Sequence, residues 1–162
     1  SVDLARDDIS AYPFLFFTGL DNFVLTGKQI DALQKHLNSG GTLVVNNALG
    51  LATFHQAVVR EMKRAFPQSD LALLPQTHEI FRNLNSIQRV KYTPTLMKDK
   101  GDQLQGRPVL FGAKVGGRLC LLYSPYDLEG GWNEVRYPLS RGYQSASAKQ
   151  LGCNIIMYAM EY

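Results

Sequence analysis

The chain is poor in the residues that usually announce a chemistry. Its 162 residues include two cysteines, three histidines and one tryptophan. Cys120 and Cys153 sit in apolar runs, LCLLYS and GCNIIMY, without metal-ligand spacing, and read as buried free thiols. No HExxH or CxxC occurs, so no zinc set is encoded locally. GxGxxG and GxxxxGK[ST] are missing, and with them the signatures of dinucleotide and P-loop sites. There is no GxSxG nucleophile elbow. The sequence thus implies no cofactor and no metal. No run approaches the ~20 apolar residues of a membrane span. The opening SVDLARDD has neither an initiator Met nor the apolar region of a signal peptide, and reads as the start of a piece cut from something longer.

Charge is also modest. Seventeen Lys and Arg stand against fourteen Asp and Glu, for a net +3. Arg60, Lys63 and Arg64 form the one tight basic group and read as the wet face of a helix. Basic residues do not interleave with aromatics as they do in single-strand binders, so nucleic acid is not an expected partner. With 45% hydrophobic and 19% charged residues, the chain has the makings of one folded domain over residues 1–162.

What is present is a rhythm. Tyr12 to Thr18, YPFLFFT, is apolar without interruption and predicts a central strand buried on both faces. Thr26 with Gln29 is a capping-box pattern, and Ile30, Leu33 and Leu37 line one face of the helix it opens. Asn38 to Gly41 ends that helix. Thr42 to Val45 predicts a second buried strand, followed by NNALG and a helix carrying Phe54, Ala57, Val58, Met62, Ala65 and Phe66 before Pro67. Strand, helix, strand, helix in this order predicts a parallel sheet. Leu71 to Leu74 suggests a short strand, and His78 to Phe81 a turn into a short helix. Residues 82–107 read as irregular, with a candidate strand at Arg89 to Tyr92. Pro108 to Val115 and Arg118 to Ser124, joined by Gly116-Gly117, predict an antiparallel hairpin in the same sheet. A last helix, capped by Ser145 or Ser147, packs through Ala148, Leu151, Ile155 and Tyr158 or Ala159. The fold class is α/β: a flavodoxin-like, Rossmann-type three-layer sandwich with a mostly parallel sheet and one antiparallel hairpin.

In such sheets ligands bind beyond the carboxyl ends of the strands. Three strand ends carry polar groups: Thr18 with Asp21 and Asn22, the pair Asn46 and Asn47, and Ser124 with Tyr126 and Asp127 and, beyond them, Trp132. The three loops are expected to meet at one edge. Asp, Asn and Ser at such positions also serve as ordinary turn and cap residues. Trp132 either floors a pocket with its indole N–H free to donate or plugs the bottom of its loop. Asp127 is expected as an exposed group whose replacement by Asn changes stability little. His36 falls by spacing on the outer side of its helix, and His55 lies beside the packed Phe54. His78, in a loop, is the best site histidine. The binding candidates are therefore Asp21, Asn22, Asn46, Asn47, His78, Ser124, Tyr126, Asp127 and Trp132. Two uses compete. One is a non-catalytic domain that binds an unknown small molecule or protein. The alternative is a hydrolase whose Asp21, Asp127 and His78 converge on one cavity.

The ordered set YPFLFFTG, LT-x-x-x-I-x-x-L, NSGGTLVV, F-x-x-x-x-x-REMKRAFP, YSPYDLEGGW and LGCNIIMYA resembles domain-of-unknown-function family 4159 over nearly the whole chain. That family looks like a branch of the class I glutamine-amidotransferase-like superfamily. The resemblance implies the sandwich fold, bacterial origin and often an extracytoplasmic or membrane-tethered setting. Members commonly carry a further strand and helix upstream of the counterpart of Tyr12. Their absence here would bare an apolar sheet edge and favour a homo-oligomer. Members often have acidic residues where this chain has Asn46-Asn47, and amides cannot replace carboxylates in acid or metal roles. Active amidotransferases hold cysteine in a G-x-C-x-G elbow. In the similar segment here Ala48 stands at the nucleophile's place, two residues before Gly50, and a methyl group cannot attack an amide carbonyl. No catalytic residue is assigned. The expected outcome is no ammonia release from glutamine. Release that is abolished by substitutions in residues 46–50 would refute this reading of the loop.

Overall fold

The computed structural model describes residues 1–135 and 137–162. One mixed sheet has the order β1 (Phe14–Gly19), β2 (Thr42–Asn47), β5 (Arg118–Ser124), β4 (Phe111–Val115), β3 (Ala72–Leu73). β1, β2 and β5 are mutually parallel, whereas β4 runs antiparallel to both β5 and β3. The predicted hairpin is therefore present, and its turn uses Gly116 and Gly117 at positive φ. Five helices accompany the sheet: α1 (Gly27–Asn38), α2 (Ala52–Ala65), α3 (Pro94–Leu104), the single-turn α4 (Glu129–Trp132) and α5 (Ser145–Glu161). Among the described residues no helix is long and apolar enough to cross a membrane.

Strand alternation divides the core. Leu43 and Val45 of β2, with Leu121 and Tyr123 of β5, pack against Leu33 and Leu37 of α1 and Phe54, Val58 and Met62 of α2. Val44 and Leu122 point to the other face and pack with Leu96 of α3 and Ala148, Leu151 and Ile155 of α5. All six residues of β2 are buried, so it is covered on both faces, as β5 is from Leu119 to Ser124. β1, read from its unbroken apolar run as central, is instead the end strand of the sheet order. Its aromatics are covered piecemeal. Phe17 meets Phe23 and Phe54, and Phe16 meets Trp132 at 5.1 Å. Local aromatic cover on each face mimics, in sequence, the pattern of a fully enclosed strand.

Four further expectations change. Residues 82–107 contain α3, capped by Thr93 Oγ1 accepting from Leu96 N, with Pro94 in the first turn. Only Leu96 of this helix is buried, so it shows little apolar periodicity. The Thr-Pro pair was its one available signal. The candidate strand at Arg89–Tyr92 amounts to a single bridge between Tyr92 and Tyr143. His36 is buried, not outward: its ring fills the space above Gly41, where a β-carbon would lie 2.2 Å from Nε2. Burial lowers the pKa of that imidazole. Of the cysteines, Cys120 is buried and Cys153 is exposed on α5.

The basic group on α2 serves a buried acid. Glu61 is fully buried and accepts from Leu25 N at 2.9 Å, from Arg60 Nε at 2.8 Å and from Arg64. Burial works against its charge. The Leu25 N–H and the two guanidinium groups outweigh burial and hold the carboxyl below its ordinary value. This fastens the β1–α1 connection to α2. Glu61→Gln should cost about 1–3 kcal/mol at pH 7. A depressed carboxyl stabilises the fold above its unfolded pKa and loses that contribution as pH falls through the folded value. The gap between wild type and variant in urea unfolding should therefore narrow on acidification, and a gap constant from pH 7 to pH 3 would contradict the assignment.

Candidate functional site

Because β1, β2 and β5 are parallel, their carboxyl ends reach one edge, and Asn46 of β2 stands at its centre. It is fully buried. Its Nδ2 donates to Thr18 Oγ1 at 3.2 Å and to Asp127 Oδ1 at 3.1 Å, while its Oδ1 accepts from Leu128 N at 2.9 Å. One amide thus joins the end of β1, the end of β2 and the loop after β5 at that edge.

Asn47 points to the opposite face and does a different job. Its Oδ1 accepts from Leu51 N and its Nδ2 donates to Leu51 O, at 2.9 and 2.8 Å, clamping the turn that leads into α2. Its Nδ2 also reaches Tyr123 Oη at 3.4 Å, and that hydroxyl contacts His55 Nδ1 at 3.1 Å. Burial raises the Tyr123 phenol and lowers the His55 imidazole, so both favour their neutral forms. Inside the clamped turn Leu49 has φ +61°, a left-handed conformation that costs a leucine about 1–3 kcal/mol. Arg141 N donates to Leu49 O, and a β-carbon on Gly50 would lie 2.4 Å from Arg141 O. The strained turn is thereby fixed against residues 139–142.

Asp127, expected at the surface, is only 3% exposed. Oδ1 accepts from Asn46 and, at 3.3 Å, from Gly130 N, and Oδ2 accepts from Ser140 Oγ at 3.4 Å. Its backbone pairs with Arg141 O and Tyr143 N. Gly142 must lack a side chain here, since a β-carbon would come within 2.5 Å of Asp127 O. Asp127 is therefore a brace for its loop. Ser124 is buried and donates to Tyr126 O at 2.6 Å, and the half-buried Tyr126 packs edge-on against Tyr92.

Other candidates lie elsewhere. Asp21 and Asn22 are exposed, and Asn22 Oδ1 accepts from Arg60 at 2.9 Å, on the α2 side. His78 caps a short 3-10 turn by accepting from Ile80 N, and its ring packs on Tyr158. Tyr158 is in the last turn of α5, while Asp127 contacts Gly142 and Tyr143 just before its first turn. About 20 Å of helix separates the two ends. Asp21, Asp127 and His78 do not converge. Trp132 sits within α4, packed on α5 over Gly152, and its indole N–H is already committed to Ala148 O at 2.6 Å. It is a wedge between α4, α5 and β1, without a free donor. Among the described residues no group of three or more His, Cys, Asp and Glu gathers as a metal set.

Beside Asp127 opens a cavity of about 820 Å³. Gly130 and Gly131 of α4, Tyr137 and Ser140 of the following strap, Lys91 and Thr93 before α3, and Ser145 to Ser147 of α5 line it. Most of these residues were not among the sequence candidates. Residues 91–93 reach the site by pairing with residues 142–144, where Thr93 N donates to Gly142 O and Gln144 N to Lys91 O, and through Thr93 Oγ1 donating to Ser140 O and Lys91 N donating to Ser147 Oγ. No spacing motif reports such a pairing.

Asn46→Asp tests the central amide. It would set two carboxylates about 3 Å apart in a buried place and remove the donor to Thr18. A loss of about 2–4 kcal/mol is expected near neutral pH. The pair would hold a proton above the ordinary aspartate value, so the folded state binds more protons and the variant should regain stability as pH falls. Equal stability of variant and wild type at pH 7 by urea unfolding would remove Asn46 from this role.

The family described as Domain of unknown function (DUF4159) matches residues 1–160, and the chain belongs to it. No curated protein matches the chain.

Proposed function

For this member of that family, we propose a non-catalytic ligand-binding domain that takes a small molecule in the cavity above the carboxyl ends of β1, β2 and β5. The observation that carries this reading is the cavity itself: about 820 Å³, within the size of small-molecule sites, and walled by helices and by a braced loop. Its place agrees with where α/β sheets bind ligands. The fold reading that goes with it is the flavodoxin-like, amidotransferase-like sandwich. It is supported by the parallel β1–β2–β5 core with helices packed on both faces.

The non-catalytic part rests on what the edge offers. Ala48 stands where an amidotransferase nucleophile would be, in a turn held by Asn47 and Arg141. The buried polar groups of the edge, Asn46, Asn47, Ser124 and Asp127, are engaged with one another and with backbone. Such groups hold shape more readily than they move protons.

A fragment library screened by ligand-observed NMR tests the proposal. Fragments should bind wild type and shift the amides of Gly131, Ser140 and Ser145. Ala146→Trp, at an exposed cavity-lining position, should abolish these effects while leaving the unfolding temperature within a few degrees. A wild type that binds no fragment, or fragments that bind the variant equally well, would overturn it.

A further inference from the structure

We infer that the outer edge of β1 takes an extended peptide segment as a further strand, with apolar side chains of that segment entering a slot beside it. Parallel pairing settles which backbone groups are available. Thr42 N donates to Pro13 O, and Thr42 lies opposite Phe14. In a parallel ladder the backbone of Thr42 therefore serves the residues on either side of Phe14, and alternation follows from there. Leu15 and Phe17 turn their N–H and C=O toward β2, whereas Phe14, Phe16 and Thr18 turn theirs to the outer edge. β1 ends the sheet order, and among the described residues no loop backbone hydrogen-bonds to that edge. Phe14 and Phe16 are half-buried and Thr18 is exposed. Such a row of backbone groups is a template for one more strand.

A slot of about 530 Å³ lies beside this edge. Leu15 and Phe17 of β1, Leu33 of α1, Leu43 of β2 and Met62 of α2 line it, with Val24 from the loop before α1. Phe16 lines it too, although its ring packs on Trp132 on the other face of the sheet. Successive residues of one strand line one slot only where it runs along the strand's edge. An added strand points every second side chain to the α1 face, and so into the slot. Main-chain bonds along an edge, with a pocket for alternate side chains, are together a mode by which sheets take peptides. Size and supply choose the occupant. The six residues of β1 span about 20 Å. A patch of that length and one strand wide falls well short of the ~800 Å² per partner of a stable dimer. A second copy would also bring a β1 whose Leu15 is already buried in its own core, with no side chain left for the slot. A single strand with an apolar residue at every second position meets both demands. The slot shares no lining residue with the cavity beside Asp127, so the two sites stand or fall separately.

The test is an NMR titration of the whole chain with a blocked peptide of alternating valine and threonine, with a lysine at each end. The Phe14, Phe16 and Thr18 amides are followed for shift and for hydrogen exchange. The peptide should shift all three saturably and slow their exchange, because they become donors in a new ladder. Its fully N-methylated counterpart, which has no N–H to donate, should bind at least tenfold more weakly. So should a peptide with threonine in place of every valine, which brings little apolar surface to the slot. Val24→Trp, at an exposed slot-lining position, should weaken the valine peptide at least fivefold with the unfolding temperature unchanged. A chain that is dimeric by light scattering, with the three amides already protected, would give the edge to a second copy and overturn the inference. Absence of shifts, or equal binding by the N-methylated or all-threonine peptide, would overturn it as well.

Discussion

The amide of Asn46 is the contact on which the carboxyl edge depends. It stands next to the end of a strand whose every residue is buried, so water cannot complete its hydrogen bonds. It must donate in two directions and accept from a third, and these partners belong to two other segments, the end of β1 and the loop after β5. An aspartate cannot donate while ionised and an alkyl group can do neither. Where a buried polar group is fully satisfied it fixes one arrangement of its neighbours, because every alternative leaves an orphan. Through Asp127 the same network passes on to Ser140, Arg141 and Tyr143, and so to a wall of the cavity.

The adjacent amide works on the other face of the sheet. Successive strand residues point to opposite sides, so Asn46 and Asn47 divide the edge between them. Asn47 holds a turn that carries a leucine in a costly conformation, and Arg141 N closes on that same leucine's carbonyl. Strain of this kind persists only where the surroundings over-determine it. Here the surroundings are the clamp on one side and residues 139–142 on the other. The strained turn therefore joins the two faces of the edge mechanically. The cavity on the α5 side is built against a turn held from the α2 side.

Glycines complete this construction by omission. Gly142 admits the backbone of Asp127, Gly152 admits the ring of Trp132, and Gly130 admits the carboxyl of Asp127. All three let segments pack more closely than a β-carbon would allow. Trp132, with its N–H bound to Ala148, ties α4 to α5, and its ring covers Phe16 of β1. Both walls of the cavity are thus anchored in the main core.

Local pattern was enough for much of the fold. The capping box of Thr26 and Gln29, the apolar stripe of α2, the unbroken run of β2 and the Gly-Gly hairpin all depend on neighbours within a few positions, and each is present as read. The convergence of the strand ends also followed, because parallel strands deliver their ends to one edge, but Asp21 and Asn22 turn away from it toward α2. Strand order did not follow: β1 has the composition of a central strand, and only the sheet shows it at the end. Nor did burial of short polar residues. Asp127 and His36 looked solvent-facing, and their enclosure comes from segments many positions away. The α3 helix was hidden because one buried leucine gives no period. Residues 91–93 join the cavity through backbone pairing and the hydroxyls of Thr93 and Ser147, contacts across about fifty positions that no local pattern reports. Sequence by itself determined the elements and the edge at which they converge, since periodicity and turn chemistry act locally. Tertiary structure alone decided which polar groups became braces, since that depends on contacts between distant segments.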